Sequence, residues 1–388
     1  MADRMTAELR GMTWDHPRGY APLDTLARLD DRSGPRGPYP YEPVRHPLRW
    51  DRRPIEDLES GSLAALTPGH DVLVVDHAVL GTAVADGCLL PLDEMFDEAE
   101  LAAWRDGSVG ASYDSHVIDG RPWALPVDAA AQVAAARRDL AAALPGTWAE
   151  VRELARSYPV TLCLGGPHAF LTFCALCVAQ GAPPCRYEGT VVPPDAGEAA
   201  LDTMAELVSR CGSEVWRRGP VGVLEAIAAG DGPAYCPLVD GYVTYAGGLR
   251  YADAPAWEPG GRPGSVLGGT GLAVSRPRAA DPAVRDAIRD HLRRLCSPAV
   301  QRDLYPAAGG QPAARSTWTD AEASALSGGF YRATLATVEA AWVRPTGAGY
   351  VPFQDAASRL LRDGIAGRVR PRSLLRDLDT LYRSWRCP

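Results

Sequence analysis

The chain reads as an α/β protein of two lobes with a helical C-terminal segment. Three observations predict this. Short apolar strands alternate with helical stretches in the N-terminal part, the pattern of a parallel sheet with helices on both faces. At 388 residues the chain is too long for one ordinary core and suits two lobes of typical domain size. Residues 320–383 are mostly helical in pattern, with a break at 344–350.

The first strand, residues 8–14, runs into Asp15 and His16. Pro17 and Gly19 then suit a fixed turn that presents Arg18 and Tyr20, ahead of a helix at 22–29. Residues 31–44, rich in Pro, Gly, Arg and Tyr, read as a surface loop. A strand is expected at 45–50 and another at 71–75, the latter ending in Asp76 and His77. A short extended piece at 87–92 precedes an acidic amphipathic helix at 93–105. Residues 120–128 are extended and twice interrupted by proline. Thr147 is a plausible N-cap with Glu150 at the capping-box position. Residues 160–164 predict a strand entering a turn at Gly165, Gly166 and Pro167, then a helix at His168. Helices are expected at 199–211 and 221–229, and a strand at 234–240 ends in Asp240. After a Pro/Gly linker at 254–265 comes a strand at 266–275. Asp281 then caps a helix at 282–296 with proline at its first position.

Composition narrows the chemistry. Hydrophobic content of 46% and charged content of 23% are those of a globular protein. A formal net charge of -8 with no basic run argues against a nucleic-acid partner. The sequence has no lysine, and all 40 basic residues are arginine. Schiff bases, pyridoxal anchoring and a Walker lysine are therefore excluded. No apolar run reaches the ~18 residues of a membrane span. The N-terminal residues carry no apolar leader, and the nine cysteines are scattered as in a reduced cytosolic protein. Cys174 and Cys177 form a C-x-x-C inside an apolar helical run, which reads as two buried thiols one turn apart. No phosphate loop, dinucleotide fingerprint or G-x-S-x-G elbow is present, so no cofactor is expected.

Five pieces occur in an order that resembles the family 1 extracellular (ABC-type) solute-binding proteins, over nearly the whole chain. GRPWALPVD at 120–128 is similar to that family's first hinge segment, and the Thr147-Trp148-Ala149-Glu150 stretch to its helix start. GGTGLAVS at 268–275 is similar to its return strand. Residues 296–301 and 309–315 are similar to its C-terminal helix and loop. The resemblance implies a type II periplasmic-binding-protein fold, here a signal-less, actinobacterial-type variant. It further implies lobe one at 1–124 plus 266–315 and lobe two at 128–260 plus 318–388, with hinges near 125–128, 260–266 and 315–318. A permease partner would follow only from a leader encoded upstream, which would also move the expected cytoplasmic location outside the cell.

In such a fold the interlobe cleft is lined by strand ends and hinges. That nominates His16, His77, Asp76 and Asp128 for acid–base work, with the two imidazoles side by side over one crevice. It nominates Arg18, Tyr20, Trp123, Gly166, His168, Asp240, Tyr242, Thr270, Arg344 and Tyr350 for ligand contacts. Asp15 and Asp76 also suit capping of the helices that follow them, and His168 suits a solvent-facing helix start. No His-x-His or H-E-x-x-H spacing supports a metal. The first reading is binding of a polar organic or carbohydrate-like small molecule. The alternative is a cytosolic enzyme, a lyase or isomerase, using His and Asp for elimination, isomerisation or cyclisation.

Overall fold

The computed structural model describes residues 8–30, 46–141 and 143–386. The expected loop at 31–44, the strand start at Arg45 and Cys387 lie outside them. In chain order the elements are β1 (Leu9–Trp14), α1 (Pro17–Asp30), β2 (Leu48–Arg53), α2 (Ile55–Ser60), β3 (Val72–Val75), α3 (Leu80–Ala85), β4 (Leu89–Leu90), α4 (Glu98–Gly107), β5 (Val117–Ile118), β6 (Arg121–Pro122) and β7 (Ala124–Arg137). There follow α5 (Trp148–Leu154), α6 (His168–Ala179), α7 (Pro194–Val208), α8 (Pro220–Ala229), β8 (Tyr235–Asp240), β9 (Leu249–Ala252) and β10 (Leu267–Ser275). The C-terminal part holds α9 (Pro282–Leu295), α10 (Tyr305–Ala307), α11 (Arg315–Thr319), α12 (Ala321–Leu326), α13 (Phe330–Ala340), α14 (Tyr350–Ala366) and α15 (Pro371–Arg386). Among the described residues no helix is long and apolar enough to cross a membrane.

The chain forms two compact units: 1–129, 269–327 and 346–348 in the first, and 130–268, 328–345 and 349–388 in the second. The crossings fall later in sequence than the segments at 125–128, 260–266 and 315–318. Residues 318–327, assigned from sequence to lobe two, belong to unit one.

In unit one the strand order is β2-β1-β3-β10, with β4 on β10. β1 pairs in parallel with β2 and with β3, while β10 runs antiparallel to β3 and to β4. The expected all-parallel sheet therefore holds only for β1 to β3. These three are joined by helical crossovers, which parallel neighbours require. β10 arrives from unit two without such a crossover and is free to run the other way. Val72, Val74, Leu272 and Val274 point to one face at the two-residue strand period. There they join Leu23 and Leu26 of α1 and Ile288, Leu292 and Leu295 of α9 in one apolar core.

α1 starts five residues earlier than periodicity suggests, because Pro17 loses no hydrogen bond in a first turn. Asp97 and Glu100 form a capping box that starts α4, later than the predicted 93. α7 likewise starts early, with proline in its first turn.

In unit two β7 pairs antiparallel with β8 and β9. β7 is a 14-residue strand buried at every position except its last, although the prolines of 120–128 suggest an interrupted segment. The predicted strand at 160–164 is reduced to a single bridge, Val160 to Tyr235. The Thr147–Glu150 capping box forms as expected, and so does the Asp281 cap on α9. Every residue of α6 from His168 to Val178 is buried. Cys174 and Cys177 are therefore free, enclosed thiols, both pushed upward in pKa by burial.

Gly81 of α3 explains why residues 346–348 belong to unit one. A Cβ there would lie 1.6 Å from the carbonyl oxygen of Thr346, so the helix meets the 346–347 backbone directly. At Gly107, the end of α4, an added Cβ would meet nothing within 4 Å. Gly81→Ala is expected to cost about 1–3 kcal/mol by overpacking, and Gly107→Ala to be neutral or slightly stabilising. Urea denaturation of the two variants beside the parent checks the contrast.

Candidate functional site

At the end of β1, His16 lies half-buried immediately before α1. Its ring Nδ1 accepts the Arg18 backbone N–H at 3.1 Å, satisfying a donor that the first helical turn leaves open. Its carbonyl accepts from Gly19 and Tyr20 at 2.8 and 3.0 Å. Gly19 is required by close approach: a Cβ would sit 2.4 Å from the Trp14 ring. The segment 17–20 is thus the opening of a helix, not a separate turn. Burial, with the Arg18 charge second, lowers the His16 pKa to about 4. The imidazole is neutral at pH 7, with its Nδ1 lone pair engaged.

Arg18 and Asp128, nominated separately, form a buried ion pair. Arg18 Nε donates to Asp128 Oδ2 at 3.0 Å, and Nη2 bonds Oδ1. Their side chains are 5% and 3% exposed, so the two charges answer each other. The carboxylate also accepts from the Gln311 backbone; burial pushes its pKa up, and Arg18 opposes that push. Gln311 is bonded in turn to Ala129, through its main chain at 2.9 Å and its side chain at 3.0 Å.

β1 and β3 are neighbours, as expected, but His77 does not line an opening. It is 0% exposed, and its ring stands edge-on to His116 at 6.2 Å. Asp76 caps the short turn that follows β3, accepting from the Ala78 N–H at 2.8 Å, and lies 3.6 Å from His77 Nδ1. His116 carries no sequence signal that would single it out. Its Nδ1 lies 2.9 Å from the Ser112 carbonyl, and burial lowers its pKa. Gly271 of β10 makes room for that ring, since a Cβ would come within 2.7 Å of Nε2. Elsewhere in unit one, the Arg52 guanidinium stacks 3.4 Å above the Tyr20 ring. Trp123 donates its indole N–H to Ile118 at 3.4 Å. Thr270 is buried, with no partner for its hydroxyl among the described residues.

In unit two, His168 opens α6 but is 3% exposed, not solvent-facing. Its Nδ1 lies 3.8 Å from Asp240 Oδ2, too far for a hydrogen bond. Burial lowers its pKa; Asp240 opposes, while Arg344 and Arg362 add to the lowering. Arg344 reaches Gln354 at 3.4 Å. Gly166 takes φ +56, a left-handed conformation that favours glycine. Its carbonyl accepts from Ser358 at 2.7 Å and from Arg362. Tyr242 and Tyr350 pack inside: the Tyr242 carbonyl accepts the Tyr251 hydroxyl at 3.0 Å, and the Tyr350 ring lies 5.4 Å from Trp385. A cavity of about 620 Å³ in this unit is lined by Trp257, Trp342, Arg186 and Arg262, and by none of the nominated residues. Among the described residues no group of three or more His, Cys, Asp or Glu side chains could hold a metal ion.

No protein-family model matches the chain, and no curated protein matches it. Solved structures do. An ABC transporter solute-binding protein from Agrobacterium radiobacter K84, in complex with ribitol, is similar at TM-score 0.77 and 19% identity, over 96% of this chain and 97% of that one. Maltose-bound T. maritima MalE3 is similar at TM-score 0.77 and 19% identity, over 97% and 99%. The GacH receptor of Streptomyces glaucescens GLA.O, described unliganded and with acarbose, is similar at TM-score 0.76 and 17% identity, over 98% and 99%. The chain therefore has the two-lobed type II periplasmic-binding-protein fold of the solute-binding proteins.

Two expectations follow from unit one. Removing one member of a buried ion pair strands the other charge, so Arg18→Met or Asp128→Leu alone should cost about 3–5 kcal/mol. The double variant should recover most of that loss, which a double-mutant cycle in urea measures. The low His16 pKa means that the unfolded chain takes up this proton first, near pH 6.5, and the folded chain only near 4. Its contribution to stability is complete above pH 6.5 and is lost as pH falls toward 4. A His16 ring resonance titrating near pH 4 in NMR is the expected result; a midpoint near 6.5 would contradict the cap.

Proposed function

We propose that the protein binds a small, polar, uncharged organic solute, carbohydrate or polyol in type, in the manner of a solute-binding protein. One observation carries this reading: the fold matches, over nearly the whole chain, proteins solved with ribitol, maltose and acarbose. The polar groups of unit one support it. His16 is neutral at pH 7 and Asp128 is committed to Arg18, so both suit a scaffold that forms hydrogen bonds better than one that transfers protons. The acid–base alternative needs those same groups free to exchange protons and draws less support. We place the protein in the cytosol because its eight described cysteines are free.

The test is a thermal-shift panel of ribitol, D-mannitol, D-tagatose, maltose, maltotriose and acarbose, followed by calorimetry on each hit. A true ligand should raise the melting temperature with concentration, by a free energy of about 2.7 kcal/mol at one hundred times Kd. If no member of the panel stabilises the protein at millimolar concentration, the reading fails.

A further inference from the structure

On β7, Gln132 lies directly opposite Asp240 of β8, at the end of that strand. Side chains opposite one another in an antiparallel pair share a face and approach closely. The Gln132 side chain is almost wholly buried, at 1% exposure. Among the described residues neither its Oε1 nor its Nε2 has a hydrogen-bond partner. Its main chain, in contrast, is fully used: the N–H donates to the Val266 carbonyl at 3.3 Å, and the Gln132 carbonyl accepts the Ser265 hydroxyl at 2.7 Å. Beside Asp240 stands His168, whose Nδ1 is likewise buried and without a hydrogen bond among the described residues. The strand therefore holds the residue firmly, while its amide does nothing for the fold. A buried carboxamide with both ends unused is costly to keep and suits a partner supplied from outside the protein.

We propose that Gln132 is a specificity-determining residue, whose carboxamide reads, together with Asp240 and His168, two neighbouring hydroxyl groups of the solute. This rests on the binding reading above. The chemistry sets the class. A carboxylate only accepts hydrogen bonds, and a carboxamide both donates and accepts. One hydroxyl can donate to Asp240 while accepting from the Gln132 amide N–H. Its neighbour donates to Gln132 Oε1 and meets the His168 ring. A vicinal diol satisfies every group in this row, whereas a carboxylate or phosphate would face Asp240 and be repelled.

The test uses the full chain with ribitol, D-mannitol and maltose as probes, read by calorimetry, on Gln132→Met, which keeps the shape, and on Asp240→Asn. For a probe that the parent binds, each variant should lose tenfold or more in affinity. Ligand-free Gln132→Met should melt at or above the parent temperature, because no bond of the fold is lost. Unchanged affinity in Gln132→Met overturns the assignment, as does a ligand-free variant that melts well below the parent, since the amide would then be holding the fold. If the parent binds none of the probes, the binding reading itself fails and the assignment falls with it.

Discussion

The buried pair Arg18–Asp128 ties together parts of unit one that are far apart in sequence. It joins residues 110 positions apart, on α1 and on the first half of β7, and draws the turn at Gln311 onto the same carboxylate. With both side chains nearly out of water, neither charge is tolerable alone. The consequences reach the neighbouring imidazole. The Arg18 charge adds to burial in keeping His16 neutral. A neutral ring keeps the Nδ1 lone pair that accepts the Arg18 N–H. That cap, together with a proline that needs no partner, lets the helix begin at Pro17. One ion pair thus helps to set the start of a helix, the titration of a histidine and the path of a strand.

What can be read in the sequence is what local chemistry decides. The capping box of Thr147 and Glu150 and the Asp281–Pro282 start declare themselves within four residues. The enclosed cysteines of α6 follow from an apolar run that is buried on every side. β7 does not declare itself. ALPVDAAAQVAAAR is rich in alanine, a residue with little preference for strands, and its strand form comes from neighbours far away in sequence. Close packing there demands small side chains: a Cβ on Gly271 would come within 2.8 Å of that of Ala124. The segment at 160–164 departs in the opposite sense. Its residues favour a strand, yet only Val160 finds a bridge.

The candidate site is legible as a set of residues and illegible as a set of relations. Arg18 and Asp128 both stand out in the sequence, but nothing local shows that they serve each other. His77 stands out for its place after a strand, and its ring packs on His116, from a turn that carries no motif. Asp76 behaves as its position suggests, capping the turn that follows. Gln132 draws no notice because a glutamine in an alanine-rich run looks ordinary until its register against Asp240 is known.

Buried charges and buried neutral groups are disposed of differently in this fold. In unit one several charges are consumed by the fold: Arg18 by Asp128, Asp76 by the Ala78 N–H, Arg52 by Asp24 and the Tyr20 ring. In unit two a neutral amide and a neutral imidazole stand beside one carboxylate, and neither the Gln132 amide nor the His168 Nδ1 has a hydrogen-bond partner among the described residues. Neutral donors and acceptors cost less to strip of water than charges do. They can therefore wait, buried, for a solute whose hydroxyl groups complete them, where an unpaired charge could not. An uncharged polyhydroxy solute fits that distribution of charge, since it brings donors and acceptors together and leaves no ion without a counterpart.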